Sequence, residues 1–201
     1  MKKILASALL VSMLLSFAGC GNAQENVSSV SDPAVSVPSE TVSLGLDFLP
    51  QTFIYSSGAG GWGTEMTIQP DGTFTGQYHD SEMGSVGDDH PYGSYYICTF
   101  SGRFTDLSQL SDHSYSMKLT ELEIVEAPGS EWVEDGIKYI AAEPYGLLGG
   151  NDFILYTPET PVAELPEMFL LWWPMRYEAP ETLSAYGIFN PAEETGFFTY
   201  Q

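Results

Sequence analysis

Beyond Leu46, polar and apolar side chains mostly alternate. Trp62, Thr64, Met66 and Ile68 share one face of a period-two pattern, with Gly63, Glu65, Thr67 and Gln69 on the other. Gln69-Pro70-Asp71-Gly72 places Pro and Gly where a tight reversal needs them, and Phe74, Gly76 and Tyr78 resume the alternation. The pattern predicts a β-hairpin. Tyr96, Cys98, Phe100, Gly102 and Phe104 form the next face, and Gly102 inside it predicts a bulge or sharp bend. Asp106–His113 interrupts the pattern. Tyr115, Met117 and Leu119 alternate again, then the face moves to Leu122 and Ile124, a one-residue slip that predicts a bulge. Ile137–Ile140 reads as a short strand or turn, Asp152–Thr157 as a strand, and Tyr186–Asn190 with Gly196–Tyr200 as a closing hairpin around Pro191–Thr195.

One helix is expected, from about Leu165 to Trp173, with Pro166 in its first turn and Pro174 ending it. Its sequence is apolar nearly all round. It is expected as a plug or cover packed on the sheet; the alternative is an exposed patch for a partner or the bilayer surface. Seven or eight short strands in about 155 residues fit one mainly β domain, an antiparallel barrel or sandwich. A barrel is favoured because it removes exposed strand edges. No internal repeat at a fixed period is present.

The N-terminus carries a different signal. Met1-Lys2-Lys3 is a short positive segment, and Ile4 to Phe17 is a mostly apolar run too short for a membrane-spanning helix of about 20 residues. The run ends in Leu15-Ser16-Phe17-Ala18-Gly19-Cys20, which resembles the lipobox of bacterial lipoproteins, with Phe17 where Leu is commonest. The resemblance implies a signal peptide over 1–20 ending at Cys20. It also implies acylation of Cys20, with palmitate-type chains holding the protein in the lipid bilayer on the extracytoplasmic face of the cell membrane. Residues 21–45, rich in Ser, Val and Pro, read as a flexible tether, and 46–201 as a single domain.

Charge narrows the partners. The chain has 6 Lys+Arg against 27 Asp+Glu, a formal charge of -21. Without Lys2 and Lys3, residues 20–201 keep 4 basic and 27 acidic groups, giving -23. No basic stripe exists to neutralise phosphates, which excludes nucleic acid as a partner and argues against electrostatic docking on anionic lipid. Hydrophobic residues make up 43% of the chain, too many for a disordered one. With Cys20 acylated, Cys98 stands alone within Tyr95-Tyr96-Ile97-Cys98-Thr99-Phe100, where a buried, inert thiol is expected.

Gly60-Gly61-Trp62-Gly63 followed by an alternating hairpin resembles the Gly-x-Trp start of lipocalin-like (calycin-like) barrels. Trp62–Tyr78 with Tyr95–Leu119 is also similar to an uncharacterised family of Gram-positive lipoproteins. That similarity is carried by Gly72-Thr73-Phe74-Thr75-Gly76-Gln77-Tyr78-His79-Asp80 and Glu143-Pro144-Tyr145-Gly146-Leu147. These resemblances imply a barrel and an envelope location and leave the activity open.

Candidate chemistry falls in two places. His79, Asp80, Glu82, Asp88, Asp89 and His90 crowd one segment, and imidazoles with carboxylates can hold a divalent cation. The spacing matches no established metal motif, so a solvated acidic loop is the competing reading. No other cofactor is indicated. Aromatic residues are the second resource. Trp62, Tyr78, Tyr96, Trp132 and Tyr145 can stack on a sugar or close over an apolar ligand at a barrel mouth, or simply fill the core. Arg103 joins them as a candidate anchor for an anionic ligand group, although each of Arg103, Lys118, Lys138 and Arg176 is expected to be ion-paired. Neither a Gly-x-Ser-x-Gly nucleophile elbow nor a phosphate loop is present, so an enzyme is not expected.

The sequence therefore predicts a monomeric, membrane-tethered binding module for a small molecule, peptide or cation. One alternative is a filled barrel that binds another envelope protein. A third, less favoured, is an envelope hydrolase built on two convergent carboxylates.

Overall fold

The computed structural model describes Gly45, Phe48, Leu49 and residues 51–200. The leader, Cys20 and the tether up to residue 44 lie outside the described residues. Glu40–Gln201 groups as one compact unit.

Among the described residues ten strands form one sheet: β1 (Gln51–Ser56), β2 (Trp62–Ile68), β3 (Thr73–Glu82), β4 (Ser94–Ser111), β5 (Ser114–Ile124), β6 (Glu131–Glu134), β7 (Ile137–Ala141), β8 (Asp152–Tyr156), β9 (Gly187–Asn190) and β10 (Thr195–Thr199). Eight of them close a ring. β1 pairs antiparallel with β2, β2 with β3, β3 with β4, β4 with β5, β5 with β8, β8 with β9, β9 with β10, and β10 returns to β1 at Phe53–Thr199. The molecule is thus mainly antiparallel β, a closed lipocalin-like barrel with one short helix. The β6–β7 hairpin stands outside the ring. It turns on Asp135 and Gly136, both at positive φ, and β7 docks parallel to Ser94–Ile97 of β4, on the edge β5 leaves free before Phe100.

Local chemistry explains the predicted hairpin. Gly72 sits at φ +83° and its N–H donates to the Gln69 carbonyl. The Asp71 carboxylate accepts from the Thr73 N–H (3.0 Å) and hydroxyl (2.6 Å), bonds that hold its pKa below the usual carboxylate range. The slip read at Leu119–Leu122 is a register shift between Arg103 and Phe104 on β4 against Glu121 and Leu119 on β5. Gly102 lies beside it because space is short: a Cβ there would come within 2.4 Å of Phe74 and of the Glu121 carbonyl. Where an interruption was expected, β4 runs on through Asp106 (φ 56°) to Ser111, with two further irregularities.

Period-two alternation sends Phe53, Tyr55, Met66, Phe74, Cys98, Phe100, Phe104, Met117, Phe153, Leu155 and Phe197 into the barrel, where they form one buried cluster. The barrel interior is filled by these side chains. Cys98 is buried among them and burial pushes its thiol up to about 11, an inert group.

A second cluster covers the outside of β8, β9 and β10. The helix α1 is shorter than expected, Glu167–Leu171, and is followed by a 3-10 turn over Pro174–Glu178. Phe169 is fully buried on the sheet, and bare backbone makes its seat: a Cβ on Gly187 or Gly196 would lie 2.5 or 2.8 Å from its ring. Tyr156, Leu165, Trp173, Leu183, Phe189 and Phe198 complete the cover. β9 and β10 are consequently buried on both faces. Among the described residues no helix is long and apolar enough to cross a membrane.

Candidate functional site

The barrel mouth is built where β1, β2 and β3 start or end and where the segment between β7 and β8 crosses over. Cross-strand register places Trp62 opposite Asp80 and Thr64 opposite Tyr78, all facing inward. The crossing segment is pinned from below. Thr64 Oγ1 donates to the Tyr145 carbonyl (2.6 Å), and Asn190 Nδ2 donates to the carbonyls of Gly146 (3.0 Å) and Leu148 (2.8 Å). Leu147 plugs into the core. Gly146 adopts φ +93° and lies so close to Tyr55 and Phe197 that any side chain there would strike their rings.

These constraints hold the Tyr145 ring over the mouth, 44% exposed. Its centroid is 5.4 Å from Trp62 at 64° and 5.9 Å from Tyr78 at 64°. Tyr55 lies under the group, 5.1 Å from Trp62, 5.4 Å from Tyr145 and 4.7 Å from Trp172. Trp172, at the end of α1, is anchored by its indole N–H on the Glu194 carbonyl (3.0 Å). Trp62, Tyr78, Asp80, Ala142, Glu143, Tyr145 and Leu148 line an open cleft of about 460 Å³. That volume suits a small ligand.

Burial pushes the Tyr78 hydroxyl up to about 12, and the Asp80 carboxylate, Tyr145 and Tyr96 add to it. The Tyr55 hydroxyl is fully buried without a well-formed hydrogen bond. Burial raises its pKa most, followed by a poorly aligned approach to Tyr145 and then the charges of Glu193 and Tyr78. Glu193 accepts a long bond from the Leu148 N–H (3.4 Å), and burial holds its carboxyl above the usual range.

Of the candidate ligand residues, the structure brings Trp62, Tyr78 and Tyr145 together. Tyr96 borders them: it pairs with Asp80 in register, and its hydroxyl donates to Glu82 (3.4 Å). Arg103 and Trp132 lie elsewhere. The alternation that sends Gly102 and Phe104 inward points Arg103 outward, where it donates to the Asp71 carbonyl (3.2 Å) and pairs with Glu121 (3.6 Å). Trp132 stacks on Tyr139 in the outer hairpin, centroids 5.3 Å apart. Lys118 pairs with Asp152 and Lys138 with Glu131, as expected. Among the described residues Arg176 makes other contacts: it lies 4.3 Å over the Tyr177 ring and donates to the Trp173 carbonyl and Tyr177 hydroxyl.

The 79–90 segment does not gather its donors. His79 stacks beside Tyr95 on the outside while Asp80 faces the cleft, because successive strand residues point to opposite faces. Glu82 meets Tyr96; Asp88 is exposed; Asp89 and His90 pair with each other at 2.5 Å. Among the described residues no group of three His, Cys, Asp or Glu side chains is placed to hold a metal. Glu143, Tyr55 and Trp172 were not anticipated. They reach the mouth from distant parts of the chain, and only the parity shared by Trp62, Tyr78 and Asp80 was there to be read.

Comparison with protein-family models, curated proteins and solved structures finds no match. The functional reading therefore rests on the geometry of this mouth.

Proposed function

We propose that the protein is a binding module, held by an acylated Cys20 on the outer face of the cell membrane, that takes a small ligand in the cleft at its barrel mouth. The observation that carries this reading is the convergence of Trp62, Tyr78, Tyr145, Asp80 and Glu143 around one open cleft of about 460 Å³. Amphipathic rings left half-exposed beside carboxylates combine apolar area with directional contacts, the composition of a ligand site. The cleft lies at the rim, beside the cluster of buried side chains that packs the interior.

A fragment screen read at the tryptophan indole N–H signals tests the site. Hits are expected to shift Trp62 and to leave Trp132 unmoved; hits confined to Trp132, or none, overturn the reading. Cys20→Ala is expected to release the protein from the membrane fraction and to abolish labelling by a palmitate analogue.

A second reading has its own observation. Met168, Leu171, Met175 and Tyr177 are exposed along α1 and the turn after it, beside a cleft of about 480 Å³ lined in part by Leu171, Trp172, Arg176 and Tyr177. Exposed apolar groups around a rigid cover suit a protein partner from the envelope. This reading requires Leu171→Glu to abolish a cross-link to such a partner without lowering the melting temperature.

A further inference from the structure

The lining of the mouth cleft has one sign of charge. Asp80 and Glu143 bring two carboxylates, and no Lys, Arg or His lines the cleft. Neither carboxylate makes an ion pair among the described residues, although Arg103, Lys118 and Lys138 each pair with acids elsewhere. Among the described residues nothing compensates the negative potential of the cleft.

The rings decide what kind of positive charge fits. Trp62 and Tyr145 are inclined at 64°, and so are Tyr78 and Tyr145. Both pairs meet edge to face, so the rings offer no stacked platform; the half-exposed rings lie beside the two carboxylates, where ring faces and charge together can hold a cation. A bare metal ion finds no adequate donor group here.

Resting on the binding reading above, we propose that the ligand class is a small organic cation, an alkylated ammonium group seated against Trp62, Tyr78 and Tyr145 with its charge met by Asp80 and Glu143. The rings supply cation–π attraction and the carboxylates supply charge, so a neutral molecule of the same shape loses both contributions.

The test compares choline with its uncharged carbon isostere, 3,3-dimethylbutan-1-ol. Both are titrated into the full chain in detergent micelles at matched ionic strength, following the Trp62 indole signal. Choline is expected to bind at least about tenfold more tightly than the isostere. Asp80→Asn and Glu143→Gln are each expected to weaken choline about fivefold, while binding of the isostere changes by less than about twofold and the melting temperature does not fall. Equal affinity for the two probes at Trp62 overturns the cation class and leaves the cleft as the binding site. Failure of choline where neutral fragments still shift Trp62 does the same. Silence of Trp62 towards choline, isostere and fragments alike overturns both the class and the site.

Discussion

The two ends of the barrel are made by the same strands with different rings. At the end where β2 turns into β3, the interior holds Phe74, Phe100, Phe104 and Phe153. Phe74 and Phe104 have centroids 5.0 Å apart, and Phe104 and Phe153 are 5.3 Å apart. At the mouth it holds Tyr55, Trp62, Tyr78, Tyr145 and Trp172 at similar spacings. Phenylalanine buries area and asks for no partner. Tyrosine and tryptophan bury comparable area but keep a polar tip that must find one. At the Phe end all four rings are buried. The mouth leaves Tyr145 half-exposed, Tyr55 in a poorly aligned contact with Tyr145, and two carboxylates without an ion pair among the described residues. One end stores stability, and the other gives some of it up for a surface that can receive a ligand.

Truncation at each end sharpens the contrast most. Phe104 is fully buried, so Phe104→Ala is expected to cost about 3–5 kcal/mol of unfolding free energy. What remains folded should still show ligand shifts at Trp62. Trp62→Ala, at the half-buried rim, is expected to cost about 1–2 kcal/mol and to remove ligand binding. Denaturant melts of the two variants check the order; a larger loss for Trp62→Ala would break the division of roles. Gly102→Ala comes next. Its Cβ would strike the Glu121 carbonyl, which cannot rotate away, as well as Phe74. A loss of about 1–3 kcal/mol is expected, read by the same melts.

The Phe end was far more legible in the sequence than the mouth. Period-two patterning reports which face of a strand is buried, so Phe74, Phe100 and Phe104 could be read as inward-facing from their own neighbours, and even the bulge at Leu119–Leu122 showed as a change of phase. Where both faces meet solvent the pattern disappears. That is why Asp106–His113 looked like an interruption although β4 runs on to Ser111, and why Glu131–Glu134 gave no strand signal. The mouth depends on convergence of Tyr55, Trp62, Tyr145 and Trp172, which no local spacing encodes. Parity was still informative there. His79 and Asp80 looked like partners because they are adjacent, yet adjacency in a strand guarantees opposite faces. The same rule turns Arg103 away from Gly102 and Phe104.

Tyr55→Phe probes the incomplete polar network directly. If the hydroxyl is unsatisfied, deleting it removes a desolvation cost, and the variant should be more stable by about 1 kcal/mol. A comparable loss would show that Tyr145 completes a true hydrogen bond, and the mouth would then be as satisfied as the Phe end. Thermal or urea unfolding at one pH decides between them.

Glu193 gives the smallest effect and the most specific one. Burial beside the segment between β7 and β8 holds its carboxyl above the ordinary value near 4.5, so the folded state binds its proton more tightly than the unfolded chain does. The folded protein therefore loses stability as pH rises through the elevated pKa. Glu193→Gln keeps an oxygen to accept the Leu148 N–H and removes the charge. It should melt above wild type at pH 7, and the gap should close as pH falls to about 4. Any acid-to-amide change relieves some self-repulsion in a chain of formal charge -21, so Glu65→Gln, exposed on β2, serves as the control. A gap for Glu193→Gln no larger than for Glu65→Gln would mean that the mouth imposes no special cost on its acids. A larger one would show that negative charge is held at this end of the barrel against the preference of the fold.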